Sequence, residues 1–403
     1  MTHFRDSTLP LSLLLATLSL VWVGCSSTPD DDDSAGDDDD SVGDDDDSAG
    51  DDDDSAGDDD DSAAPPTGTA YVVTTDYVDT IISSVAVAGL EVGVTSLSLA
   101  AGDVVLSAAG EDLWVLDRSA STGSVYSGGD LGQEPSLEVS FGESANPHHV
   151  ARCGGYNFVS LYDANGITVL DDVGNTMGFV DVSSYADVDG GAEPDTMVVK
   201  GESLWVALQR YDYGTYTNDP VGYLLKVDCA THTVEAEWPV GANPYLRDAD
   251  TSEDLVLLQT GGWGATDGEI ILFDLTAGDG MVIAASENHQ DKPLGMGGWA
   301  ALSDGIVYSV KSAGDGSPEN PDTTALLCVD EAGVSRIGND DLQSNLAGMT
   351  SAGNTAWISF RAPWNNPKAS YGVAILDEAT CSVTTPDSWL NFSLPPSQIL
   401  VLD

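Results

Sequence analysis

The sequence predicts an all-β fold of repeated four-stranded antiparallel sheets closed into a ring, and three observations predict it. Short β-rich apolar runs alternate with turn signals from Ala70 to the C-terminus. The pattern repeats roughly every 45–50 residues, the spacing expected of blades arranged around an axis. One slot of the second strand is aromatic again and again, at Tyr71, Trp114, Phe158, Trp205, Tyr308 and Trp357. A large ring at one place per repeat is explained by packing between neighbouring sheets.

The clearest repeat runs from Asn146 to Asp171. An apolar run opens at Val150 after a proline, and Cys153-Gly154-Gly155-Tyr156 supplies glycines for a positive-φ turn. Phe158 to Tyr162 is the second strand, Asp163-Ala164-Asn165-Gly166 a hairpin turn, Ile167 to Leu170 the third strand, and Met177 to Val182 a fourth. Later units open at Glu193-Pro194, Asn243-Pro244, Lys292-Pro293 and Leu346. A weaker unit occupies 98–140. Ala70–Thr75 and Thr80–Val87 lack a first strand of their own, and Gln398–Leu402 is a strand with no repeat after it. Placing both ends in one sheet closes the ring and leaves no terminal sheet exposed. The expectation is a β-propeller of seven blades, or six if the unit at 98–140 is not a blade.

Residues 1–24 read as an export signal, with an apolar run from Leu9 to Val23 ending at Gly24-Cys25. A small residue before cysteine is the bacterial lipoprotein pattern, with Cys25 as the lipidation site; the alternative is a plain secretory signal. Ser26 after the cysteine directs such a protein to the outer membrane, with the domain in the periplasm or at the cell surface. Residues 25–67 form an Asp-rich tether of DDDDSAG-type heptads, without apolar positions to bury. Self-repulsion predicts a disordered, extended stalk with a contour of about 130 Å.

The formal net charge of the 403-residue chain is -56, of which the tether's aspartates contribute 20. Residues 62–403 still carry -36, with only 11 basic residues. A surface this acidic repels nucleic acid and anionic lipid, so the only membrane contact expected is the lipid anchor. Cys153, Cys229, Cys328 and Cys381 have neither zinc-ligand nor haem-attachment spacing. In an exported protein they pair as disulfides in one of three connectivities.

The entry Asn146-Pro147-His148-His149-Val150, the strand Trp205-Val206-Ala207, and the strand ends Leu161-Tyr162-Asp163 and Ile375-Leu376-Asp377 resemble the YVTN-type β-propeller surface lipoproteins of bacteria. The resemblance covers nearly all of 68–403 and implies a fold more than a function. Few units contain the tetrad-like string, and loop lengths vary.

In such a propeller, first-strand entries and second-strand exits share one face. The exits carry Arg118, Arg210, Lys311 and Arg361, the loops add Tyr211, Tyr213, Trp263 and Trp364, and the entries add His148, His149, Asp195 and Asn243. Arginine and aromatic residues together suit a protein or glycan partner. The competing reading is that each arginine pairs with an acid and ties blades together. Adjacent strand residues point to opposite faces, so His148 and His149 are not expected to share a metal. Asp187, Asp189, Glu193 and Asp195 alternate oxygen ligands around a glycine turn and are the candidate calcium ligands. No nucleophile elbow, zinc-protease helix or phosphate loop appears. The expected function is a monomeric, membrane-anchored binding or scaffolding module without catalysis and with no cofactor beyond calcium. The alternative is a calcium- or metal-dependent hydrolase or lactonase centred on the propeller axis.

Overall fold

The computed structural model describes residues 68–249, 254–261, 268–285, 294–302, 305–312, 323–330, 333–342, 345–352, 355–362, 370–377, 382–383 and 388–402. The export signal, Cys25 and the Asp-rich tether lie outside them. Seven four-stranded antiparallel sheets occupy the described chain, with one short two-stranded ribbon. Blade 1 consists of Pro396–Leu402, Thr69–Thr75, Thr80–Ala86 and Glu91–Leu99, from the axis outward. Blade 2 has Val104–Ala109, Asp112–Asp117, Thr122–Tyr126 and Leu137–Ser140, and is the weak unit of the sequence. Blade 3 has Pro147–Cys153, Tyr156–Leu161, Gly166–Leu170 and Thr176–Asp181. Blade 4 has Pro194–Lys200, Ser203–Leu208, Gly222–Asp228 and Thr233–Val240. Blade 5 has Pro244–Asp248, Leu255–Gln259, Glu269–Asp274 and Asp279–Ala285. Blade 6 has Leu294–Leu302, Gly305–Ser312, Thr323–Asp330 and Gly333–Leu342. Blade 7 has Asn345–Ala352, Thr355–Arg361, Gly372–Asp377 and Ser382–Val383. The ribbon, Tyr211–Asp212 with Thr217–Asn218, rises from blade 4.

Strand burial follows position in the blade. The second strand of blade 3 is buried along nearly its whole length, because both faces of the sheet meet a neighbour. The outer strand Thr233–Val240 alternates exposed and half-buried residues, as an edge facing solvent on one side should. Turn chemistry is local. Gly154 and Gly155 take positive φ at the first hairpin of blade 3, and Asn165 takes the left-handed conformation before Gly166. Asn146, Glu193 and Asn243, each directly before a proline that opens an inner strand, share a left-handed φ. The amides of Tyr162, Gln209 and Thr260 donate to their respective carbonyls, so one entry turn is built three times.

The core is a ring of seven clusters, one between each pair of successive blades. Tyr71 and Ile82 of blade 1 meet Leu106 and Leu113 of blade 2, and Trp114 of blade 2 meets Val150 and Val159 of blade 3. Phe158 packs on Leu204, Trp205 on Leu257, and Ile270 on Leu327 in the next three junctions. Leu326 packs on Ile358, and Trp357 closes onto Val72 and Ile399. The aromatic slot therefore plugs the blade junctions. Tyr71, Trp114, Phe158, Trp205 and Trp357 are each at most 3 % exposed. The side chain of Tyr308 lies outside the description.

Tyr71 pairs with Leu400 in the shared sheet of blade 1, so the chain termini of the domain close the ring by backbone hydrogen bonds. Inner strands leave one edge without a ladder partner, and polar side chains fill that need. Gln398 accepts from the Leu106 amide at 2.7 Å and donates to its carbonyl at 2.9 Å. Ser107 does the same for Val150, and Thr196 accepts from the Leu246 amide. Cys153 of blade 3 is bonded to Cys229 of blade 4, and Cys328 is also in a disulfide. Among the described residues, no helix is long and apolar enough to cross a membrane.

Candidate functional site

The entry turns and second-strand exits of blades 2, 3 and 4 bring together residues that are far apart in sequence. The Nδ1 of His148 lies 2.9 Å from Asp195 Oδ1, and its Nε2 lies 3.1 Å from Arg118 Nη1. Arg118 is itself anchored on Asp103 through Nε at 2.8 Å and through Nη2. The second carboxylate oxygen of Asp195 accepts from the Gln209 amide, and Tyr162 donates to the Gln209 carbonyl at 2.8 Å. Tyr162 also stacks on the His148 ring at 4.1 Å, with the planes 15° apart. The Asp195 carbonyl is held by Ser160.

Arginine only donates, so Nε2 of His148 accepts and Nδ1 carries the proton given to Asp195. The imidazole is thereby fixed in one tautomer and one plane. Tyr245 of blade 5 adds its hydroxyl to Gln209 and Asn243 and has its ionisation opposed by burial and by the Asp195 charge.

His149 departs from strict strand alternation. The ladder slips between Pro147 and His149. Loss of hydration pushes His149 down to about 4 against an opposing pull from Asp195, with Arg247 and His148 adding to the fall. Its Nδ1 is enclosed and accepts no hydrogen bond.

Three of the four candidate calcium ligands gather beside the ribbon of blade 4, and the fourth does not join them. Glu193 is 2 % exposed, and its Oε2 accepts from the Tyr211 amide at 2.9 Å. Burial pushes its carboxyl up to about 8, with the charges of Asp187, Asp189 and Asp163 adding to the rise and the Tyr211 amide opposing it. Asp189 accepts from the amides of Gly191 and Tyr213, and Asp187 Oδ2 is buried without a partner. Burial raises Asp187 as well, with its contact to Asp189 adding to the rise. Asp195 instead commits both carboxylate oxygens to His148 and Gln209, which corrects the four-ligand expectation. Among the described residues, no group of three or more His, Cys, Asp or Glu is arranged to hold a metal ion.

The basic residues of the exits are mostly committed to their surroundings. Arg210 bridges Asp219 at 3.0 Å and the Val221 carbonyl at 2.6 Å, and its guanidinium lies 5.5 Å from the Tyr223 ring centre. Arg361 of blade 7 reaches the Thr75 carbonyl of blade 1 at 3.1 Å and lies 4.6 Å from the Tyr77 ring centre. Lys311 falls in the second strand of blade 6, but its side chain lies outside the description, as do Trp263 and Trp364 entirely. Tyr211 meets Tyr213 edge to face at 5.1 Å. On the same face, Tyr213 is 48 %, Tyr216 71 % and Val188 86 % exposed.

Sequence reasoning picked out Arg118, His148 and Asp195 separately, and missed that they touch. It also missed Asp103, Tyr162 and Gln209. Tyr162 was visible only as part of a strand-end motif, and Gln209 only as the neighbour of Arg210.

No protein-family model and no curated protein sequence matches the chain. Solved structures do. A protein from Bacteroides fragilis provisionally named a 6-phosphogluconolactonase aligns with a TM-score of 0.57 at 14% identity, covering 85% of this chain and 99% of that one. The β-propeller domain of Cps50 (Swd1) from Myceliophteria thermophila aligns at 0.53 and 11% identity, covering 74% and 94%. The dihydro-heme d1 dehydrogenase NirN aligns at 0.51 and 16% identity, covering 84% and 76%. Enzymes and non-enzymes share this architecture, and identity this low carries the fold alone. By its own sheets and by these likenesses, the chain is an all-β protein of the β-propeller fold.

Proposed function

We propose that the protein is a bacterial, membrane-anchored extracytoplasmic propeller of the YVTN surface-lipoprotein type. Cys25 is its lipid attachment site and the Asp-rich segment its stalk. The loop face binds a protein or glycan partner without catalysis. One observation carries the binding reading: the large apolar side chains exposed on blade 4 gather at that face. Val188 lies in its entry loop, Tyr213 and Tyr216 in the turn of the ribbon, and Val221 between the ribbon and the third strand. Aromatic side chains left in water beside ordered turns are what an interface core requires. Arg210, held by Asp219 and the Val221 carbonyl, lies beside this patch and ties its loop.

The test compares full-length protein with a Tyr213→Ala/Tyr216→Ala variant in crosslinking capture from envelope fractions and on a glycan array. The variant keeps its melting temperature and loses the captured partner. Identical capture by both proteins refutes the assignment to this face. Metabolic labelling with a fatty acid, with Cys25→Ser as control, checks the anchor.

A further inference from the structure

We infer that the cleft between blades 2 and 3, on the face opposite the entry turns, binds a small hydroxylated amine of the amino-sugar class. This site shares no residue with the loop face and stands independently of partner binding there.

The cleft has a volume of about 430 Å³, within the roughly 300–1,000 Å³ of small-molecule sites. Glu111 and Asp112 come to it from the first hairpin of blade 2. Arg152 and Asn157 flank the first hairpin of blade 3, at the strand ends away from His148 and Asp195. Trp114, 1 % exposed, closes the floor.

The blade 3 wall donates. Asn157 is 5 % exposed, and its carbonyl accepts from Arg152 Nη1 at 3.4 Å. Its amide nitrogen therefore points elsewhere, and among the described residues that nitrogen has no acceptor. It opens on the cleft and is not shut away in the core. Arg152 Nη1 also meets Asp172 at 2.7 Å, while Nε and Nη2 make no hydrogen bond among the described residues. The hydrogen bond to Asp172 raises the Arg152 guanidinium pKa, and the charges of Asp172 and Asp112 add to the rise against burial. The Asp112 carboxylate thus acts on Arg152 across the blade junction.

The blade 2 wall accepts. Glu111 and Asp112 form no ion pair among the described residues. Ser127 donates to Ser136 at 3.0 Å, and Ser136 donates to the Val125 carbonyl at 3.1 Å. Each serine has spent its one proton and keeps only lone pairs for a ligand. Bracing of the turns explains the Arg152–Asp172 pair and leaves these other groups unspent.

Three carboxylates, Glu111, Asp112 and Asp172, face one guanidinium, so the cleft is left negative. The acidic domain concentrates cations around it. An ammonium against Glu111 and Asp112 supplies the missing counter-charge. Hydroxyl oxygens accept from Asn157 and Arg152 on the other wall. A sugar ring carries both kinds of group in fixed directions, so little freedom is lost on binding.

The test is isothermal titration calorimetry of the full-length protein with glucosamine, N-acetylglucosamine, glucose and methylamine. Glucosamine should bind in the millimolar range or tighter, and about 10-fold or more tighter than each of the others, which lack either the charge or the hydroxyls. Glu111→Ala/Asp112→Ala should lower glucosamine affinity about 10-fold or more at an unchanged melting temperature, and Asn157→Ala about 3- to 10-fold. Tyr213→Ala/Tyr216→Ala keeps full glucosamine affinity, which separates this site from the loop face. No binding of glucosamine to the wild type overturns the proposal whether or not any variant folds. Glucose or methylamine binding as tightly as glucosamine also overturns it, since the first dispenses with the ammonium and the second with the ring. Unchanged affinity in a folded Glu111→Ala/Asp112→Ala protein removes the ligand from this cleft.

Discussion

Replacing Glu193 with glutamine is expected to stabilise the domain in alkaline solution and to do almost nothing in acid. Glu193 is 2 % exposed, has one amide donor, and faces Asp187, Asp189 and Asp163. Burial and these charges raise its carboxyl from 4.5 to about 8. A carboxyl raised on folding holds its proton more tightly in the folded state. Its contribution is therefore complete below the unfolded value and is lost as pH rises to the folded one. At about 1.4 kcal/mol per pH unit the ceiling across that window is about 5 kcal/mol. The adjoining loop is exposed and relaxes around the new charge, which reduces the effect to about 2–4 kcal/mol. Glutamine keeps an acceptor for the Tyr211 amide and never ionises. In a domain of this size the gain corresponds to roughly 3–6 °C in melting temperature.

The assay is thermal unfolding of both proteins at matched pH values from 4.5 to 9. Only the difference between the two curves is read, so that other carboxylates cancel. The two should coincide near pH 5 and separate progressively, with the glutamine protein ahead at pH 9. Parallel curves over the whole range would refute the argument that this carboxyl is buried without a counter-charge. A calcium-induced rise in the wild-type melting temperature, absent from the variant, would show that the acids take a cation instead of protons.

His149 gives the opposite dependence. Its imidazole is depressed to about 4, so its contribution is complete above the unfolded value near 6.5 and falls away as pH drops toward 4. Relative to His149→Gln, the wild type should lose about 2–3 kcal/mol over that window in the same melting assay. Gln398→Ala leaves the Leu106 amide and carbonyl without partners and should cost about 1–3 kcal/mol in urea unfolding. Removing the Cys153–Cys229 bond frees a loop spanning a sequence separation of 76. A Cys153→Ala/Cys229→Ala protein should be about 4 kcal/mol less stable, and reductant should shift the wild type toward it. Trp357→Ala, at a fully buried junction between blades 7 and 1, should cost about 3–5 kcal/mol and loosen the closing sheet, read by hydrogen exchange at Ile399.

Much of the architecture was written locally. Strand runs, glycine turns and the aromatic slot each depend on residues within a few positions, so the repeat was legible without coordinates. Closure by the two termini was also legible, because unpaired strands at both ends leave one economical solution, and Tyr71 does pair with Leu400. The candidate site was legible only in pieces. Arg118, His148 and Asp195 could be chosen as polar residues on one face. Their contact depends on how three blades rotate against one another around Trp114 and Phe158. The fate of Asp195 shows the same limit. Its spacing from Asp187, Asp189 and Glu193 suggested a shared cation, yet opening the inner strand at Pro194 turns it to His148. Sequence spacing sets which groups lie near along a chain, and the choice of partner for a buried charge belongs to packing, since it is the neighbouring blade that supplies the counter-group.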